Sequence, residues 1–198
     1  MNLIKLFDIQ KVLDAAIIEK KGLEGRDTLP EKILALQVEL GECANEWRGF
    51  KFWSENQKSR TRCEECKGTG YCHFNGYADH MQPCEECNGY PERKNPLLEE
   101  YVDCLHFILS IGLEREETTM TGDYDESWIT KTSSVREQFS HLFDEISNFS
   151  RYKAVSDYAS VLDTFIGLGE MLGFTWGEIE SAYMAKNEVN HSRQNNGY

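Results

Sequence analysis

Two cysteine pairs constrain the fold of this chain more than any other feature. Cys63-Glu-Glu-Cys66 and Cys84-Glu-Glu-Cys87 stand 17 residues apart, inside a sequence that elsewhere repeats with helical period. Two thiolate pairs of this spacing complete a tetrahedral four-cysteine site of the kind that Zn²⁺ prefers, and four sulfurs leave no open coordination position. The predicted role is therefore structural. Seven cysteines, five of them between Cys63 and Cys87, are an odd count that suits metal binding better than a disulfide scaffold. Glycine follows each pair (Gly68 and Gly70, then Gly89), letting the backbone turn around the sulfurs. Cys72, His73 and His80 are alternative ligands. Over residues 57–94 helical periodicity lapses, and six basic residues balance six acidic ones. That segment is predicted as an inserted, zinc-ribbon-like module whose order comes from the metal.

The remainder reads as helix. Residues 3–20 carry Leu3, Leu6, Phe7, Val12, Leu13, Ala16 and Ile17 as an apolar stripe. A second helix is predicted over 30–47, with Thr28 as its cap, Pro30 in its first turn and a stop near Gly49. Further helices are predicted over 96–114, 134–149 and 154–172, the last ending at Gly173. Thr175-Trp-Gly-Glu178 has the spacing of a capping box and opens a final helix running towards Ser192. No segment alternates for long enough to predict a strand. The fold class is all-α, a bundle of about six helices built from 1–56 and 95–198.

Charge narrows the function. A formal charge of −13, from 21 Lys and Arg against 34 Asp and Glu, opposes binding to nucleic acid or to an anionic membrane. The longest apolar run, 105–113, is far short of the ~20 residues that span a bilayer. The N-terminal residues lack the apolar core of a signal peptide, and the chain reads as cytoplasmic.

Acidic side chains recur in pairs on two strongly apolar helices. Glu39-Leu-Gly-Glu42 and Glu100-Tyr-Val-Asp103 each place two carboxylates one turn apart on one face, and Glu46 extends the first pair. Like charges so placed repel, and a hard divalent cation between them reverses the sign. All-oxygen ligands favour Mg²⁺, with Mn²⁺ as an alternative, over Zn²⁺. A helical di-iron site wants two Glu-x-x-His motifs, and the chain offers only Asp103-Cys-Leu-His106.

The segments LQVELGECANEWRGFKFW, NPLLEEYVDCLHFILSIGLE and AYMAKNEVNHSRQNNGY together resemble the dimeric dUTP diphosphatase family of the all-α nucleoside triphosphate pyrophosphohydrolases, a superfamily that includes MazG-like enzymes. The resemblance implies Mg²⁺-dependent cleavage of dUTP to dUMP and pyrophosphate by a homodimer. It implies that Glu39, Glu42, Glu100 and Asp103 hold magnesium and that Glu39 also activates water. On the last helix, Lys186, Asn187, Asn190 and Arg193 become phosphate contacts, and Gln194, Gly197 and Tyr198 match the family pattern. Gln10 and Trp53 become the readers of the base, with Asp14 a further polar contact near Gln10. His106 is expected to be a satisfied core histidine. The family does not generally carry the cysteine insert, which leaves room for a protein partner there. Two alternatives stay open: a pyrophosphohydrolase for another pyrimidine nucleotide such as dCTP, and a non-enzymatic adaptor acting through the zinc module.

Overall fold

The computed structural model describes residues 2–73, 81–87, 89, 95–115 and 124–196. Among them six α-helices follow in order: α1 (Leu3–Lys21), α2 (Leu29–Trp47), α3 (Pro96–Glu114), α4 (Val135–Tyr152), α5 (Val155–Met171) and α6 (Trp176–Asn195). Each predicted helix is present, with ends shifted by a few residues. Sequence-local chemistry sets these ends. Ser134 accepts from the Glu137 N–H at the start of α4, and Thr175 and Glu178 form the predicted capping box on α6. Thr28 directly precedes α2, but its hydroxyl and N–H both donate to Glu114, each at 3.1 Å. Its hydroxyl is thus drawn to a carboxylate on α3.

The chain forms two compact units. The first comprises Met1–Gly41 and Tyr101–Tyr198. In it α4 packs on α5 and α1 on α6. On α4, Phe139, Leu142, Ile146 and Phe149 recur at spacings of three and four and are buried. Fully burying each such side chain contributes about 1.5–3 kcal/mol, which fixes which face of the helix turns inward. Tyr101 stacks on Phe165 with centroids 4.2 Å apart, and its hydroxyl donates to the Phe165 carbonyl at 3.1 Å.

Three apolar residues of α1 and α2 are exposed, one of which, Val12, belongs to the predicted stripe. Val12 is 62% exposed, because nine residues after Leu3 at about 100° per residue brings it to the opposite side of α1. Leu34 and Val38 are exposed in the same way, lying about a third of a turn or more from the buried row Ile33, Leu36 and Leu40.

The second unit, Glu42–Glu100, holds the end of α2, an aromatic loop, the cysteine module and the start of α3. Two short strands, β1 (Tyr71–His73) and β2 (Met81–Pro83), pair antiparallel with Tyr71 opposite Pro83. Three residues per strand are too few to show alternation, which is why the sequence predicts none. Gly68 and Gly89 occupy the left-handed region, with φ of 81° at each. Their N–H groups reach back to the carbonyls of Cys63 and Cys84, closing each knuckle. The predictions for His80, Gly197 and Tyr198 fall outside the described residues.

Candidate active site

A cavity of about 410 Å³ opens in the first unit. Gln10 and Asp14 from α1, Glu39 from α2, Asp103, His106, Phe107 and Ser110 from α3, and Asn190 and Arg193 from α6 line it, together with apolar α1 side chains such as Leu13 and Ile17. Helical spacing explains the assembly: Gln10 and Asp14, Asp103 and His106, and His106 and Ser110 are each one turn apart.

A buried polar network forms part of the cavity wall. The Gln10 Nε2 donates to Asp14 Oδ1 at 2.7 Å, while Gln10 Oε1 accepts from the Tyr183 hydroxyl at 2.7 Å and lies 2.8 Å from His106 Nδ1. The Ser110 hydroxyl donates to Asp14 Oδ2 at 2.6 Å. Donor and acceptor roles follow from elimination. An ionised Asp14 only accepts, so the Gln10 atom facing it is the amide nitrogen. The Gln10 oxygen therefore faces His106, whose Nδ1 must carry the proton, leaving Nε2 as an acceptor. That Nε2 is buried without a partner among the described residues, so the expectation of a satisfied histidine is corrected on this point. Burial, then the positive charge of Lys186, pushes the His106 pKa down to about 3, keeping the ring neutral. The Tyr183 ring stacks on it with centroids 4.2 Å apart. Burial, followed by the charge of Asp14, pushes the Tyr183 hydroxyl well above its ordinary range.

The four acidic residues expected to bind magnesium do not all have the same surroundings. Glu39 and Glu42, one turn apart on α2, offer carboxylate oxygens within 4.8 Å of each other. Within the second unit Glu42 and Glu100 do the same. Asp103 is held by Lys186, whose Nζ lies 2.6 Å from Oδ2 in a pair with both side chains under a fifth exposed. The predicted metal ligand and the predicted phosphate contact thus hold each other. A six-coordinate Mg²⁺ with bonds of about 2.1 Å needs neighbouring oxygens about 3 Å apart. The donor set is all oxygen, a chemistry that suits that ion.

The cysteine cluster passes a stricter geometric test. Sulfurs at the corners of a tetrahedron with Zn–S bonds of about 2.3 Å stand about 3.8 Å apart. Cys63 and Cys84 Sγ lie 3.8 Å apart, Cys66 and Cys87 Sγ 3.7 Å, and all four residues are buried. Burial pushes the Cys66 thiol up, but the Gly70 N–H at 3.2 Å and the neighbouring thiols more than offset this, lowering it to about 6. Cys72 packs against the four but does not replace any of them in the cluster.

The other predicted substrate contacts are spread across the chain. Asn190 and Arg193 reach the cavity, whereas Asn187 is buried with its Nδ2 unpartnered among the described residues. Trp53 is 65% exposed in the second unit, in edge contact with Phe50 and Phe52. Sequence reasoning missed Phe107 and Lys32 in the cavity lining. The spacing from Asp103 to Phe107 carries the signal, since one turn beyond a carboxylate aimed at the site lies the same face.

No helix among the described residues is long and apolar enough to cross a membrane. No curated protein matches the chain. The profile of a family described as dUTPase matches residues 2–74 and 87–198, so its interruption falls inside the cysteine module. With that match over nearly its whole length, and with six helices of which α2 and α3 carry the acidic pairs, the chain belongs to the dUTPase family, a family of enzymes that hydrolyse dUTP.

Proposed function

We propose that the protein hydrolyses dUTP to dUMP and pyrophosphate, using a divalent cation held by Glu39, Glu42, Glu100 and Asp103. The observation that carries this reading is the first-unit cavity, where Glu39 and Asp103 share a wall with Asn190 and Arg193. Carboxylates for cations and a guanidinium for phosphate oxygens meet there beside an apolar recess that suits a base. Bound Mg²⁺, with Mn²⁺ as a substitute, supplies neutralisation of triphosphate charge and a site for the attacking water. Glu39 orients that water and accepts its proton. Lys186, which pairs with Asp103, would contact the phosphate oxygens, and Asn187 and Asn190 would orient the same chain of oxygens.

Selectivity for uracil rests on Gln10. Its oxygen is occupied by Tyr183 and His106 and one N–H by Asp14, so the amide cannot flip and presents its second N–H. A donor fixed in that direction donates to the 4-carbonyl of uracil and opposes the 4-amino group of cytosine. Phe107 gives the base a ring face in the cavity, whereas Trp53, the other expected base contact, stands on the aromatic loop of the second unit. The four cysteines hold structural Zn²⁺, and the domain boundaries follow the module at 57–94. Exposed Leu34 and Val38, one turn apart on α2, suit coverage by a second copy in a cytoplasmic homodimer. The test is product chromatography with Mg²⁺ on dUTP, dCTP, dTTP and UTP. Pyrophosphate and dUMP from dUTP, with dCTP turned over far more slowly, are expected; equal turnover of all four refutes the base reading.

A further inference from the structure

In the second unit one residue joins the two helix ends. The last four carbonyls of a helix and the first four N–H groups of the next lack partners within their own helices. Arg60 supplies one of each. Its N–H donates to the Glu46 carbonyl near the end of α2 at 3.0 Å, and its carbonyl accepts from the Leu97 N–H in the first turn of α3, also at 3.0 Å. Its guanidinium adds a charged link to the same place on α2, with Nη1 3.0 Å from Glu46 Oε1. On the other side, Nε lies 3.5 Å from Glu64 Oε1, inside the first cysteine knuckle. Cys63 follows Arg60 by three residues.

The metal carboxylates sit next to these joints. Glu42 is four residues before Glu46, and Glu100 is three after Leu97. Glu46 itself is only 17% exposed and, among the described residues, keeps Oε2 buried without a partner, so its carboxylate is held through the bond that Arg60 gives Oε1. A cation beside the end of α2 also offsets the partial negative charge of its last carbonyls and the acidic cluster.

We infer that Arg60 is a positioning residue through which the zinc-loaded cysteine module sets the separation of Glu42 and Glu100, and hence the affinity of the carboxylate site for its divalent cation. This rests on the proposed cation site. The zinc module then acts on the enzyme through metal affinity, two joints away from the chemistry, and need not touch the nucleotide. The side chain of Arg60 fixes Glu46 and Glu64, while its backbone ties both helices to the module.

The experiment compares the wild-type chain, Arg60→Ala and Arg60→Lys, each with zinc content measured. Mn²⁺ binding without nucleotide is followed by electron paramagnetic resonance, and the Mg²⁺ dependence of turnover is followed separately. Arg60→Ala with full zinc is expected to weaken Mn²⁺ binding about threefold or more, as loss of a charge-assisted hydrogen bond implies. The half-saturating Mg²⁺ concentration should rise in parallel, with a much smaller change in kcat at saturating Mg²⁺, and Arg60→Lys should recover part of the loss. Wild-type protein stripped of zinc by dialysis against a chelator and then desalted should show a larger weakening of Mn²⁺ binding. Unchanged Mn²⁺ binding in zinc-loaded Arg60→Ala, or in folded zinc-free wild type, overturns the inference. Should Arg60→Ala fail to fold, Arg60→Lys and the zinc-free wild type decide. Absence of triphosphate hydrolysis by wild type refutes the enzymatic reading alone, because the Mn²⁺ measurements do not depend on it.

Discussion

Replacing Gln10 with leucine tests the network on which base selectivity depends. Leucine fills a similar volume in a position only 3% exposed but removes one donor and one double acceptor. Three groups lose their partner: Asp14 Oδ1, the Tyr183 hydroxyl and His106 Nδ1. Leaving a buried polar group unsatisfied costs about 1–3 kcal/mol. Asp14 keeps Ser110 and lies near Lys32 with its side chain 15% exposed, so its share is small. Tyr183 and His106 bear the full cost, about 2–6 kcal/mol together, and the extra apolar burial of leucine returns about 1–2 kcal/mol. The expected loss is about 3 kcal/mol, read as a shift in the urea midpoint at pH 7.5 by circular dichroism. Tyr183→Phe removes one of the stranded groups, so the double variant Gln10→Leu/Tyr183→Phe should be more stable than the sum of the two single losses predicts. A loss below about 1 kcal/mol, or simple additivity, refutes the argument that these bonds fix the amide.

Three further outcomes follow from the same geometry. Glu42→Gln should raise the Mg²⁺ requirement for turnover at least about tenfold while slightly raising the melting temperature in chelator, because it relieves like-charge repulsion with Glu39 and Glu100. Gly112→Ala should cost about 2 kcal/mol in urea unfolding, since a Cβ there falls 2.3 Å from the Tyr158 hydroxyl, which donates to the Ile108 carbonyl. His106, neutral when folded and depressed to about 3, contributes stability that is fully present above about pH 6.5 and lost as pH falls towards 3. From pH 7.5 to 5, wild type should lose about 2 kcal/mol more than His106→Asn, and equal pH dependence of the two removes the burial argument.

Helix positions were legible because their signals are local. The capping box at Thr175, the serine before α4 and the three-and-four spacing of Phe139, Leu142, Ile146 and Phe149 each act within two turns. Both acidic pairs and both cysteine knuckles share that property. Val12 was misread because an apolar residue was counted into a stripe without the angle that places it. Thr28 was assigned as a cap from its position, and Glu114, 86 residues later, draws its hydroxyl.

Long-range partnerships of this kind also explain why the base-reading group was named from the sequence without its environment. Gln10 is visible there as an amide on a helix, able to donate and to accept. Which it does towards the cavity depends on Asp14, His106 and Tyr183, the last lying 173 residues away. Asp14 accepts only, and that single constraint propagates through Gln10 to His106, fixing an amide orientation and a tautomer in turn. Every member must keep its role for the others to keep theirs, so any change that turns Asp14 into a donor should reverse the amide. Asp14→Asn is the variant in which the Gln10 oxygen can turn towards residue 14. Its expected effect is a rise in dCTP turnover relative to dUTP, with the helical content of the protein unchanged. An unaltered ratio of the two turnovers in a folded Asp14→Asn protein refutes the chain of constraints.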